Sequence, residues 1–157
     1  MNRVQYCAAN WKMNKTPDES LVFLNDLQAK ALDNSSVKVI ICPTALSLKV
    51  MHSELHRNTI QLGGQNLYHE TSGAFTGEIS GEMLKACGAK WVIIGHSERR
   101  HIFAESDTFL NLKVKRALSD GLNLIFCIGE KIGEREAGKT GDVLRTQLTN
   151  GLAGLSN

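Results

Sequence analysis

The chain has 157 residues, 42% of them hydrophobic and 22% charged, with a formal net charge of +2. That length suits one domain burying roughly two-thirds of its unfolded surface, and so small a charge argues for neither a nucleic-acid partner nor an anionic membrane. No window approaches the ~20 apolar residues of a membrane span, and residues 1–6 lack the apolar stretch of a signal peptide.

Residues 4–9 read as a strand. Thr16-Pro17-Asp18-Glu19 then opens a helix: threonine as N-cap, proline at the first helical position, glutamate three residues after the cap. Leu21, Leu24, Leu27 and Ala31 follow at helical spacing. Residues 33–36 are a loop. Residues 37–42 are a second strand, stopped by Pro43, which cannot extend a central ladder. A helix over 46–56, a strand over 60–65 and a Gly-rich loop over 71–79 come next. A short helix spans 80–87 with Gly88 as its C-terminal stop. The fourth strand, Trp91-Val92-Ile93-Ile94, is short and wholly apolar, the pattern of a strand buried on both faces. Asp107 caps a longer helix carrying Phe109, Leu112, Ala117 and Leu118, closed by Gly121. Residues 122–128 form a fifth strand and 142–148 a last helix, and 151–157 read as a weakly structured tail.

This is βα repeated about five times without a linker, which predicts a parallel sheet with right-handed crossovers. The pattern leaves two architectures open: a doubly wound open sheet, or part of an eight-unit barrel. A complete barrel takes ~250 residues. Cys7, Cys42, Cys87 and Cys127 show no CxxC spacing. Three of them fall in strand-like runs, which predicts reduced, buried core thiols in a reducing cytosol.

In parallel α/β folds, chemistry sits at the carboxyl ends of strands. Asn10 and Lys12 follow the first strand. A lysine there is either a loop surface residue or a point charge for a phosphate or a developing oxyanion. His96 follows the fourth strand, with Ser97 placed to open a helix. An amide of that helix can donate to Nδ1, leaving Nε2–H to polarise a carbonyl; the plainer reading is a satisfied strand-end histidine. Glu98 either pairs with Lys12 or sits exposed at a helix start.

Asn10-Trp11-Lys12-Met13-Asn14, Gly63-Gly64-Gln65-Asn66, Gly73-Ala74-Phe75-Thr76-Gly77-Glu78, Gly95-His96-Ser97-Glu98-Arg99-Arg100 and Cys127-Ile128-Gly129-Glu130 occur in an order and at spacings that closely resemble the triosephosphate isomerase family. The resemblance covers essentially the whole chain. It implies an α/β fold, a partial TIM (β/α)8 barrel of about five parallel βα units, with residues 1–157 forming one C-terminally incomplete domain. It also implies a cytoplasmic glycolytic and gluconeogenic isomerase. That enzyme interconverts dihydroxyacetone phosphate and glyceraldehyde 3-phosphate through an enediolate, without cofactor or metal. His96 and Lys12 would be catalytic, Asn10 and Lys12 substrate-binding, and Ser97 and Glu98 supporting. The neutral histidine at a helix start is the behaviour described for triosephosphate isomerase itself, so that role comes from the resemblance. Phe75, Thr76 and Gly77 would dock into a second copy in a homodimer, with Phe75 inserting into a pocket.

The family's catalytic glutamate follows its sixth strand, with a mobile lid and Gly-rich phosphate turns beyond. None of these is matched here, so the chain alone is expected to be inactive or nearly so. The alternative is a non-catalytic subunit that pairs through the loop from Gly73 to Glu78. A weaker alternative is a nucleotide binder, because Gly133-Glu134-Arg135-Glu136-Ala137-Gly138-Lys139-Thr140 fits the P-loop formula. Two glutamates sit inside that would-be cradle, and the strand ends several residues early. His52 and His56 share a helix face, but zinc needs a third ligand, so a solvent-facing helix is expected.

Overall fold

The chain's computed structural model describes residues 3–30 and 37–155. The predicted loop over 33–36, the position of Ala31 and the last two residues lie outside them. The elements, in order, are β1 (Gln5–Asn10), α1 (Pro17–Lys30), β2 (Val37–Cys42), α2 (Ala45–Glu54), β3 (Ile60–Gly64), α3 (Gly81–Ala86), β4 (Ala89–Ile94), α4 (Ser97–His101), α5 (Asp107–Ser119), β5 (Asn123–Phe126), α6 (Ile132–Glu136) and α7 (Thr140–Gly151).

The start of α1 forms as its sequence predicts. Thr16 Oγ1 accepts from the Glu19 amide at 3.3 Å, and Glu19 Oε2 accepts from the Thr16 amide at 2.7 Å. Ser20 on α1 then donates to Ser47 on α2 at 2.9 Å. Gln28 closes the far end of the same helix pair, donating to Glu54 O and accepting from the His56 amide.

The five strands are parallel and ordered β1-β2-β3-β4-β5, each in line with its neighbour in sequence. Strand period divides their side chains between two faces. One face packs Ile41, Leu62, Val92 and Ile94 against Leu24, Leu48, Met51, Leu84, Leu110 and Val114 of the helices. The other carries a smaller cluster, Ile40, Cys42 and Ile93, with Trp91, Ile125 and Cys127 against it. Among the described residues, β1 and β5 each have a strand neighbour on one side only. Beside the β1 edge, Val4 is 51% and Tyr6 54% exposed.

Several boundaries move. β1 ends at Asn10, one residue later than read, which brings Asn10 onto the Cys42 level of the ladder. β4 starts two residues early, and β5 is the shorter run 123–126. The N-cap of α5 is Ser106, whose hydroxyl accepts from the Phe109 amide at 3.2 Å, while Asp107 is bonded to Arg100. The predicted loose tail is instead anchored through residue 155. Asn111 donates to Gly151 O and Ala153 O, and Leu152 and Leu155 pack on the main core.

Of the four cysteines expected in the core, one is buried, and Cys87 and Cys127 are half-buried. Cys42 is buried, but Cys7 is exposed on the uncovered part of β1. Burial, with a smaller contribution from Cys127, pushes the Cys42 thiol up to about 12. A thiolate-directed alkylating reagent at pH 8 should therefore modify Cys7 and spare Cys42 in the folded chain. Peptide mapping that finds Cys42 modified before Cys7 would contradict this placement.

Candidate active site

Asn10, Lys12, Gln65, His96 and Glu98 meet at the carboxyl ends of β1, β3 and β4. Together with Met13, Asn66, Arg99 and Phe103 they line a cleft of about 350 Å³. Lys12 sits in a left-handed backbone conformation, φ 55°, which a side-chain-bearing residue adopts only when its surroundings hold it. Those surroundings are explicit. Asn10 Oδ1 accepts from the Lys12 amide at 3.0 Å, and Gln65 Nε2 donates to Lys12 O and to Cys42 O, both at 2.9 Å.

Gly95 carries the chain out of β4 with φ +79°; a Cβ there would lie 2.9 Å from the carbonyl oxygen of Cys127. Arg100 ties the two strand ends together, donating to Gly95 O, Cys127 O and Asp107. His96 is the N-cap of α4, and its Nδ1 accepts from the Glu98 amide at 3.3 Å. Glu98 Oε2 lies equally close to Nδ1, at 3.3 Å. The two contacts need opposite tautomers. A backbone amide is a fixed donor, and the Glu98 carboxylate already has Lys12 Nζ at 2.8 Å on Oε1. We therefore assign Nδ1 as acceptor and place the ring proton on Nε2. The hydrogen bond from Lys12 holds the Glu98 carboxyl below the usual carboxylate range. A depressed carboxyl stabilises the fold above its ordinary value and loses that contribution as pH falls, so the Lys12–Glu98 pair opens on acidification. Ser97 opens α4 and is exposed.

The family model for triosephosphate isomerase matches residues 5–157. The chain belongs to the triosephosphate isomerase family. It is 44% identical over 153 residues to the triosephosphate isomerase of Syntrophotalea carbinolica, covering 98% of this chain and 61% of the relative. It is 46% identical over 154 residues to that of Carboxydothermus hydrogenoformans, again 98% of this chain and 61% of the relative. The crystal structure of triosephosphate isomerase from Bartonella henselae superposes with a TM-score of 0.90 at 41% identity, covering 97% of this chain and 63% of that one. The chain thus spans about 61% of the length of the curated relatives it matches. Its five parallel strands form a half-barrel, a partial TIM barrel.

Gly77 and Glu78, of the loop from 73 to 78, line a second hollow together with the cleft residues Gln65, Asn66 and Arg99. Phe75 is exposed at 39%. Its ring packs 4.6 Å from that of Tyr68, and a Cβ on Gly73 would touch it at 2.8 Å. Thr76 and Gly77 are left as the exposed tip, Gly77 with φ +90° and open space around it. The P-loop formula finds no cradle. Residues 132–136 are helical, and the amides of Glu134, Arg135, Ala137, Gly138 and Lys139 all donate to nearby backbone carbonyls. His52 and His56 are exposed, and no cluster of metal-ligating side chains occurs among the described residues. No helix among the described residues is long and apolar enough to cross a membrane.

Sequence reasoning missed Arg100 as the tie between strand ends and Gln65 as the clamp on Lys12. Both act through hydrogen bonds to backbone oxygens far along the chain, which leave no local pattern.

Proposed function

We propose that this cleft is the substrate-polarising half of a triosephosphate isomerase site, acting on dihydroxyacetone phosphate and glyceraldehyde 3-phosphate. The observation that carries the proposal is the Glu98 amide donating to His96 Nδ1, with Lys12 Nζ held on the Glu98 side-chain carboxylate. Isomerisation removes a proton from one carbon of the triose and returns it to the next. Negative charge grows on the substrate oxygens in between. Nε2–H of His96 and the ammonium of Lys12 are the donors for that charge, and such preorganised donors act most strongly where charge develops. The reaction moves protons alone and calls for no redox partner. The pathway implied is glycolysis and gluconeogenesis, in the cytoplasm.

A base that takes the carbon-bound proton must be free and near the reacting carbons. Glu98 is tied to Lys12, and Glu130, beyond the end of β5, is tied to Arg135 at 2.7 Å. Neither carboxylate is available as the base. A positioned base contributes roughly 10²–10⁴-fold, so the 157-residue chain alone should show no substantial turnover. Nitrogen-15 NMR of the His96 ring tests the polarising role directly. The Nε2–H tautomer is expected, with its Nε2 signal moving when millimolar dihydroxyacetone phosphate is added. An Nδ1–H tautomer, or a signal indifferent to the substrate, would sink this reading.

We propose further that the chain pairs with a second copy through Phe75, Thr76 and Gly77. Exposed apolar side chains support this: Met13, 94% exposed, and Phe103, 60%, line the cleft, and Leu46 and Ile102 are 79% and 72% exposed. Monomeric soluble proteins rarely leave large apolar patches uncovered. Thr76→Arg should shift sedimentation from dimer to monomer, whereas a chain already monomeric without the substitution would refute the pairing. Pairing by a chain whose His96 ring is indifferent to dihydroxyacetone phosphate would favour the non-catalytic subunit.

A further inference from the structure

Lys113 is the most unexpected side chain of the interior. It lies on α5 between Leu110 and Val114, and it is 1% exposed. Burying an ammonium is costly, and an apolar residue of similar volume is often as stable or more so. The Lys113 Nζ donates to Glu105 Oε1 at 2.7 Å and to Asn66 Oδ1 at 2.9 Å, and it lies 4.8 Å from the centre of the Phe109 ring. Glu105 in turn accepts from Arg99 Nε and Nη2 at 2.8 and 2.6 Å. Asn66 directly follows Gln65, the residue whose amide grips Lys12 O and Cys42 O. Two hydrogen-bonded links, joined through the Gln65–Asn66 backbone, therefore connect the buried ammonium to the strained backbone position of Lys12 in the cleft.

We propose that Lys113 is a positioning residue for the cleft, fixing the turn at Gln65 and Asn66 so that the left-handed backbone of Lys12 is held and its Nζ is set on Glu98. Its consequence for catalysis rests on the isomerase reading, but the mechanical coupling does not. An apolar residue at 113 would fill the space and leave Asn66 without its donor. Glu105 would keep both bonds from Arg99, so the ion pair next to it survives the change.

The coupling is read through Glu98, whose depressed titration is set first by its hydrogen bond from Lys12, with the His96 ring a smaller contributor. Carbon-13 NMR of the Glu98 carboxyl in the 157-residue chain gives its midpoint without any need for turnover. Lys113→Met should raise that midpoint by roughly half a pH unit, a threefold change in the protonation equilibrium. Asn66→Ala, which cuts the path while leaving Lys113 on Glu105, should move it in the same direction, and it decides the matter if Lys113→Met does not fold. Leu122→Ala, a core truncation outside the path, should lower stability without moving the midpoint. An unchanged midpoint in Asn66→Ala and in folded Lys113→Met, or an equal rise in Leu122→Ala, would overturn the proposal. A shifted midpoint in a protein whose cleft fails to respond to dihydroxyacetone phosphate would count against the isomerase reading alone.

Discussion

His96→Gln should lower kcat by about 10²–10³-fold, the usual cost of removing one preorganised donor from a developing oxyanion. The context is a fusion of this chain to the part of the Syntrophotalea carbinolica relative that it does not match. KM should change by only a few-fold, because the Nε2–H bond strengthens as charge builds on the oxygen and adds little to ground-state binding. Lys12→Met should lower kcat by a comparable factor and raise KM as well, since a full positive charge also attracts the phosphorylated substrate. Its backbone strain predicts a second signature: at φ 55° glycine is the easier residue. Lys12→Gly should therefore be more stable than Lys12→Met while equally inactive. Equal kcat for His96→Gln and the parent fusion would remove histidine from the chemistry.

The second large effect is on stability. Glu105→Leu leaves Lys113 buried without its counter-charge and Arg99 without its acceptor. Breaking a buried pair by removing one partner costs about 3–5 kcal/mol, a large share of the 5–15 kcal/mol that holds a domain of this kind together. Burial already pushes the Lys113 ammonium down, and the Glu105 carboxylate is what opposes that. The double variant with Lys113→Met should regain most of the loss, because the orphaned charge is then gone. Denaturant unfolding of the two single variants and the double checks this. A double variant less stable than Glu105→Leu alone would mean that the site's cost is packing and not charge.

The parts of the fold legible in the sequence are those whose cause is local. Val37–Cys42 is read to the residue because a β-branched run ends at a proline. The start of α1 is legible because cap, proline and glutamate stand in consecutive register. Errors arise where a tertiary partner outbids the local signal. Ser106 and Asp107 are both good caps, and Arg100 takes Asp107. Gly151 looks like the end of structure, yet it is glycine because a Cβ there would lie 2.3 Å from the Phe126 ring.

The candidate site divides the same way. Lys12, Asn10 and His96 stand in short motifs at strand ends, and the chemistry of strand ends makes them visible. Gln65 and Lys113 do their work through partners 53 and 47 positions away. A lysine within a helical apolar stripe carries no mark of being buried until the neighbouring elements are in place. The tautomer of His96 is intermediate: the sequence offers an amide at the start of α4, and the structure identifies it as that of Glu98.

The measurement that bears most directly on the account is isomerisation of dihydroxyacetone phosphate by two purified proteins, the 157-residue chain alone and its fusion to the unmatched part of the Syntrophotalea carbinolica relative. A polarising half-site predicts turnover by the fusion, at least 10²-fold below it or none by the chain alone, and loss of the fusion's activity with His96→Gln. A folded, dimeric fusion that is inert, or a chain that alone turns over as fast as the fusion, would contradict it.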